Sequence, residues 1–392
     1  MSFEVRPLGV QCNLRCQYCY QNIERETAHS THTYNLDALL DRIHQAEEPF
    51  TLFGGEPLLM PIADLEKLFT VGLEKWGENH IQTNATLIRD RHLDLFEKYQ
   101  VSVGVSIDGP GALNDGRWAG SWEKTRKLTA HAEQAIKSLC QRQIPTYLII
   151  TLHRQNATED KLPILGTWLR YMDQLGVEST RLHLLEVDDA IVDRKYALTP
   201  AENLAALLYL ETVEQELEQM QLDIFSEMIA LLLAKDDEVS CVWRACDPYT
   251  TEAVQGIDGE GRSSNCGRIN KDGVSFEKAA SPGYERYLAL YHTPQAFGGC
   301  QDCRFFLMCK GQCPGTSLDG DWRNRTTDCT TWKKLYIHLE QRLQTQGKSP
   351  LSLHPWRPVV ESMMLNAWTE GSNPSIQIAL TTLQGNTETS DD

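Results

Sequence analysis

The sequence predicts an α/β fold: a parallel sheet of repeated strand–helix units over residues 1–190, then a helical bridge over 191–240 and a cysteine-rich domain over 241–345. Three observations lead there. The first 190 residues alternate short apolar runs with amphipathic helical stretches. Twelve cysteines stand in separate groups, three near the N-terminus and eight after residue 240. No stretch approaches the ~20 uninterrupted apolar residues of a membrane span.

The elements follow in order. Strands are expected at Glu4–Pro7, Thr51–Phe53, His80–Gln82, Ser102–Ile107, Tyr147–Thr151 and Arg181–Leu185. Asn35 caps a helix that carries Leu36, Leu39, Leu40 and Ile43 on one face. Ile62, Leu65, Leu68, Phe69, Leu73 and Trp76 keep helical spacing, and Leu128, Ala132, Ala135, Ile136 and Leu139 do so again. Leu162–Leu175 gives a further helix. In the bridge, Thr199-Pro200-Ala201-Glu202 is a capping box with proline at the first helical position, opening a helix to about Met220. A second bridge helix covers Ile224–Lys235, and Thr331–Gln344 closes the cysteine-rich domain. Residues 346–392 form an extension and, from Gly371 to Asp392, a tail.

Composition narrows the function. With 37 basic and 54 acidic residues the net charge is −17, which argues against binding a phosphate backbone. The start, Met-Ser-Phe-Glu-Val-Arg-Pro, has no signal-peptide core. Twelve cysteines without an export signal point to thiolate ligands in a reducing cytoplasm.

Cys12, Cys16 and Cys19 stand in the spacing C-x-x-x-C-x-x-C. Three thiolates fill three corners of a [4Fe–4S] cube and leave one iron open for a small molecule. Zinc is the plain alternative, because C-x-x-C pairs are common zinc ligands. A second segment, Thr51-Leu-Phe-Gly54-Gly55-Glu56-Pro57, is an apolar strand that ends in two glycines, a carboxylate and a proline. The glycines permit close backbone approach, and the glutamate can accept bonds from an ammonium group. Together the two segments resemble the radical S-adenosylmethionine (SAM) enzymes. Tyr18 matches that family's aromatic residue before the third cysteine.

The resemblance covers roughly residues 3–345 and implies a partial (β/α)6 TIM barrel with a C-terminal iron–sulfur SPASM domain. It also implies that the open iron chelates SAM and that Gly54, Gly55, Glu56 and Pro57 meet the SAM amino group. Ser106 and Asp108 end a clean alternation and could hold the ribose or carboxylate of SAM; read alone, they are a strand running into an Asp-Gly turn. Ser106-Ile-Asp108-Gly-Pro110 recurs in peptide-modifying members of the family. Gln82-Thr83-Asn84-Ala85-Thr86 resembles their Gln-Thr-Asn-Gly-Thr segment, with Ala85 in place of glycine and therefore an expected negative φ. Thr151 and Arg154 are further candidates for SAM contacts. Glu186 follows the sixth strand as a general base or a solvated acid.

The later cysteines are Cys246, Cys266, Cys300-x-x-Cys303-x5-Cys309-x3-Cys313 and Cys329. Their order resembles the seven-cysteine SPASM extension, which binds auxiliary clusters. With Cys241 they make eight, enough for two four-cysteine clusters. By family analogy Cys241, Cys246, Cys266 and Cys313 hold the first, and Cys300, Cys303, Cys309 and Cys329 the second. Cys140 is left over as a buried thiol on a helix face.

The resemblance therefore implies three [4Fe–4S] clusters and SAM as cofactors. A reduced N-terminal cluster would cleave SAM to a 5′-deoxyadenosyl radical, which removes hydrogen from a substrate carbon. The implied substrate is a ribosomally made precursor peptide. The segment Arg6 to Asn22 leans towards spliceases that excise a tyramine unit and leave a β-amino acid. The alternatives are crosslink formation, an anaerobic sulfatase maturase making formylglycine, or a non-catalytic iron–sulfur carrier or zinc scaffold. Gly54–Pro57 and Ser106–Asp108 argue against the last, since a carrier needs no SAM pocket. The expected partners are the peptide, a reductant such as flavodoxin or ferredoxin, and a separate leader-recognition protein, since the cluster loop already opens at Cys12. No nucleic acid or membrane is expected.

Overall fold

The computed structural model describes residues 2–27, 33–237, 239–247, 254–269 and 283–388. The chain divides into two compact units. One, the barrel unit, is Ser2–Asp223 with Gln255–Phe276; the other, the C-terminal unit, is mainly Ile224–Val254 with Glu277–Asp392.

In the barrel unit the strands are β1 (Ser2–Arg6), β2 (Phe50–Leu52), β3 (Asn79–Thr83), β4 (Val101–Ser106), β5 (Thr146–Leu152), β6 (Ser179–Leu184) and β7 (Gln221–Leu222). Each pairs in parallel with the next, for example Val5 with Leu52 and Thr83 with Val105. Sequential parallel neighbours joined by helices are the arrangement of an open, partial TIM barrel. Beyond β1 the sheet continues into β8 (Val254–Asp258) and β9 (Ser263–Ser264), which are antiparallel to each other.

The helices are α1 (Asn22–Thr27), α2 (Leu36–Gln45), α3 (Ile62–Trp76), α4 (Asp90–Lys98), α5 (Trp122–Gln141), α6 (Leu162–Leu175), α7 (Ala190–Tyr196) and α8 (Pro200–Glu214). Their start signals work as the sequence indicates. Asn35 accepts the Ala38 N–H at 3.1 Å, and Thr199 and Glu202 close the capping box of α8. α3, α4 and α5 each pack on the strand that follows or precedes them. In β4 the Val101, Val103 and Val105 side chains are fully buried, whereas Ser102, Gly104 and Ser106 stay half-buried. The two-residue period thus puts one face into the core and leaves the other for polar groups.

The C-terminal unit is built on α9 (Asp223–Leu232), α10 (Glu285–His292), α11 (Phe306–Cys309), α12 (Cys329–Thr345), α13 (Arg357–Thr369) and α14 (Ile376–Glu388). Its core is aromatic. Trp243 stands edge-on to Trp332 at 6.4 Å and to Tyr336 at 6.0 Å, while Phe305 stacks on Tyr336 at 5.2 Å. Each such pair adds about 0.5–1.5 kcal/mol beyond area burial.

Three expectations are corrected here. The bridge helix expected to reach Met220 stops at Glu214, and residues 221–222 join the sheet as β7. The expected tail forms α14, because Asp236, far away in sequence, accepts the Ile376 N–H at 2.9 Å and the Ser375 hydroxyl at 2.7 Å. Ile376 and Ala379 are buried there; Asp391 and Asp392 lie outside the described residues. Cys140 lies on α5 but is only half-buried. Among the described residues no helix is long and apolar enough to cross a membrane.

Candidate functional site

The loop after β1 carries the cysteine triplet. It turns at Gly9 (φ +53°), with the Gly9 N–H donated to Arg6 O at 3.1 Å and the Gln11 N–H to Leu8 O at 3.0 Å. The segment beyond β3 pins it from one side. Asn84 Nδ2 donates to Asn13 Oδ1 at 2.9 Å and to Cys12 Sγ at 3.6 Å, and Asn13 Nδ2 donates to Thr86 Oγ1 at 2.8 Å. The segment beyond β4 pins it from the other. Arg15 N–H meets Trp118 O at 2.7 Å, and Gln17 N–H meets Gly116 O at 2.8 Å.

Cys12, Cys16 and Cys19 are all half-buried free thiols. Burial pushes the Cys16 thiol up to about 12; Arg117 opposes the rise, and charge on Cys19 and Cys12 adds to it. The three sulfurs are thus near enough to feel one another, and an iron-bound state would remove that burden by stabilising the thiolates. Among the described residues no three Cys, His, Asp or Glu side chains converge as for a single metal ion. A cube takes each thiolate at a different iron, so its ligands stand apart around the cluster.

Gly54–Pro57 packs directly on this loop. Gly55 N–H donates to Gly9 O and Glu56 N–H to Gln11 O, both at 2.7 Å. Gly54 has φ +118°, and a Cβ on Gly55 would lie 1.8 Å from Gln11 O. The glycines are therefore required by the approach of the chain's own cysteine loop. Gly55→Ala must displace that loop, and core overpacking of this kind costs about 1–3 kcal/mol. The variant is expected to be destabilised by about that amount. Denaturant midpoints check this; an unchanged midpoint would contradict it.

The Glu56 side chain is fully buried. Its carboxylate accepts Leu58 N–H at 3.0 Å, Thr83 Oγ1–H at 2.7 Å and Asn84 N–H at 2.8 Å. Burial pushes its pKa up while these three bonds oppose it. A carboxylate has about four acceptor positions, so about one is left for a further donor. Pro57 starts a short 3-10 turn capped by Glu56.

At the next strand ends, Gln82 Nε2 donates to Ser106 Oγ at 2.8 Å, linking β3 to β4. Gly104 makes room for this, because a Cβ there would lie 2.1 Å from Gln82 Oε1. The expected negative φ at Ala85 is corrected to +59°. The Thr83 hydroxyl accepts the Ala85 N–H at 3.1 Å, and Asn84 Oδ1 accepts the Thr86 N–H at 3.0 Å. Those bonds hold a left-handed residue that costs a non-glycine roughly 1–2 kcal/mol.

Asp108 is fully buried, like Glu56. The Tyr18 hydroxyl donates to Oδ2, Arg117 Nε approaches Oδ2 at 3.1 Å, and His153 Nε2 lies 3.3 Å from Oδ2. Thr151 N–H and Arg117 Nη2 reach Oδ1 at 3.1 and 3.2 Å. Burial alone would raise the Asp108 pKa, but the Arg117 guanidinium and His153 hold it well below the usual carboxylate range. Arg154 points elsewhere, to Glu202 at 3.2 Å and to Ala197 O at 2.8 Å. Glu186 is buried, with Arg268 Nε 2.7 Å from Oε1, and Arg268 Nη2 lies 2.6 Å from His183 Nδ1.

Residues 7–162 match the radical SAM superfamily. This segment is a radical SAM domain. The chain is 28% identical over 184 residues to the serine-type anaerobic sulfatase-maturating enzyme of Klebsiella aerogenes, covering 43% of this chain and 44% of that protein. It thus spans less than half the length of that relative. Among solved structures it is similar to anSMEcpe with bound AdoMet and the Cp18Cys peptide (TM-score 0.65, 16% identity, 88% of this chain and 98% of that one). It is also similar to Streptococcus suis SuiB bound to the precursor peptide SuiA (TM-score 0.54, 15% identity, 84% and 75%). These likenesses show the fold.

Beyond the radical SAM domain, Cys300, Cys303, Cys309 and Cys329 come together. Burial pushes the Cys309 thiol well up, and charges on Cys300, Cys329 and Cys303 add to it. Cys266 belongs to the barrel unit, and Cys241, Cys246 and Cys313 to the C-terminal unit. Sequence reasoning missed Arg117 and His153, which hold Asp108, and Arg268, which pairs with Glu186. None carries a local motif, because each meets a partner on another loop.

Proposed function

We propose that this chain is a radical SAM enzyme of the SPASM type that modifies a ribosomally made precursor peptide, excising a tyramine unit from the backbone to leave a β-amino acid. The supporting observation is the pair of backbone bonds from Gly55 and Glu56 to Gly9 and Gln11, which fixes the cysteine loop against Gly54–Pro57. Such a joint suits a site that must hold a cluster and a chelated ligand side by side.

In this reading Cys12, Cys16 and Cys19 hold the N-terminal [4Fe–4S] cluster, and the eight later cysteines hold two more. When bound, the N-terminal cluster and SAM supply a 5′-deoxyadenosyl radical able to remove hydrogen from an unactivated carbon. Glu56 takes the SAM ammonium at its remaining acceptor position, beside Gly54 and Gly55. Gln82, Asn84, Ser106 and Thr151 stand at the strand ends that follow, and Pro57 fixes the turn, whereas Arg154 is engaged by Glu202 and Ala197 O. Tyr18 and Asp108 act indirectly: with Arg117 and His153 they form a buried polar joint under the cysteine loop that keeps water from its base. Glu186 is the acid–base residue, its carboxylate oriented by Arg268. Glu186→Gln is then expected to keep SAM cleavage while peptide conversion falls at least about a hundredfold; equal loss of both would refute that role.

The peptide, a separate leader-recognition protein and a flavodoxin- or ferredoxin-type reductant complete the reaction, in the cytoplasm. Anaerobic co-expression with neighbouring precursor peptides, followed by mass spectrometry, tests the reading. Loss of an internal residue fragment supports splicing. Loss of two hydrogens favours a crosslink or the formylglycine-type oxidation, a second reading supported by the sulfatase-maturase relative. No mass change, with SAM cleavage intact, would reject a peptide substrate among those tested. No SAM cleavage at full iron content would leave the carrier reading.

A further inference from the structure

Cys300, Cys303, Cys309 and Cys329 of the C-terminal unit lie on segments held by buried or half-buried cations. Arg286 is fully buried. Among the described residues its guanidinium donates to backbone carbonyls: Trp322 at 2.7 Å, Lys310 at 3.2 Å, Gly311 at 3.5 Å, and Gln312 and Asn324 at 3.1 Å. Arg325 donates to Gln295 O and Gly299 O, both at 2.7 Å. Lys310 is buried, with Nζ 2.9 Å from Trp243 O. Among the described residues none of the three forms an ion pair with Asp or Glu, although the chain carries a net charge of −17.

Such burial is costly. An ion in a low-dielectric interior is retained only where a counter-charge or a full set of hydrogen bonds compensates it. The backbone is bent to provide part of this. Lys310, Gly311 and Gln312 are consecutive left-handed residues, with φ +47°, +73° and +59°. That turn directs three successive carbonyls onto Arg286. Carbonyl dipoles orient the guanidinium but leave its full positive charge in place.

Both arginines hold the backbone that carries the thiols. Arg325 bonds the Gly299 carbonyl next to Cys300, and Arg286 bonds the Lys310 and Gln312 carbonyls, which lie between Cys309 and Cys313. A [4Fe–4S] cube on four thiolates carries about two negative charges and gains another on reduction, so fixed cations and hydrogen bonds to sulfur favour the reduced state.

We propose that Arg286 and Arg325, with Lys310 beside them, raise the reduction potential of the cluster held by Cys300, Cys303, Cys309 and Cys329, so that this cluster is built to take up one electron. The inference rests on the ligand assignment made under Proposed function. The two arginines are positioning residues: they touch neither substrate nor SAM.

The test is a redox titration of the full chain, reconstituted anaerobically and followed by electron paramagnetic resonance. Cys12, Cys16 and Cys19 are replaced by Ala so that auxiliary signals stand alone. Arg325→Met and Arg286→Met are expected to move one auxiliary midpoint to a more negative value at unchanged iron content. Arg325→Lys, which keeps the charge, should leave it near the parent value. If Arg286→Met fails to assemble, the Arg325 pair decides. An intact cluster with an unmoved midpoint in Arg325→Met would overturn the inference alone. Undiminished auxiliary iron after Cys303→Ala with Cys309→Ala would instead overturn the ligand assignment, and the inference with it.

Discussion

On the proposed three-cluster reading, alanine at Cys12, Cys16 and Cys19 together is expected to abolish 5′-deoxyadenosine formation, with iron content falling from about twelve to about eight atoms per chain. The reason is local. The three thiols share one loop whose bonds come from Asn84, Gly116 and Trp118, none of which involves the C-terminal unit. Removing the sulfurs leaves those bonds other than the weak contact to Cys12 Sγ, so the fold and the auxiliary iron should persist. Iron analysis with a thermal melt checks the structural half, and chromatography of the nucleoside product checks the chemical half. Unchanged SAM cleavage would contradict the assignment; loss of all iron would show that the clusters assemble as a set.

Arg117→Leu is expected to destabilise the barrel unit by about 3–5 kcal/mol, the range for removing one partner of a buried ion pair. Asp108 has no exposed surface, and the Arg117 side chain is only 10% exposed. The remaining donors, Tyr18, His153 and the Thr151 N–H, would have to carry a buried carboxylate. The double variant Arg117→Leu with Asp108→Leu should recover part of the loss, since no charge is then stranded. Denaturant midpoints of the two variants measure the difference, and equal midpoints for wild type and Arg117→Leu would contradict it. The pH dependence has a definite sign. The folded pKa of Asp108 lies below its ordinary value, so its stabilisation is present above about pH 4 and is lost as pH falls from there towards the depressed value. Arg117→Leu should flatten that acid limb.

Features with local signatures could be read from the sequence. The cysteine spacings, Gly54–Pro57, the Asn35 cap and the Thr199–Glu202 box all use residues within a few positions of one another. The alternation Val101–Ile107 likewise gave β4 and its buried face. What escaped depends on distant partners. Asp236 caps α14 across some 140 positions, and Arg286 reaches carbonyls up to 38 positions away. Ala85 misled because residue type alone favours negative φ, whereas the Thr83 and Asn84 side chains impose the left-handed turn. The same contrast holds in the site: the glycines at 54 and 55 were legible as glycines, but that they admit Gly9 and Gln11 was not.

The central claim is that the Cys12–Cys19 loop and Gly54–Pro57 form one SAM-cleaving site. It is tested most directly by reconstituting the wild-type chain anaerobically, adding dithionite and SAM, and quantifying 5′-deoxyadenosine. Formation of that nucleoside, with methionine in equal amount, is the expected result. Its absence from protein carrying full iron would contradict the claim.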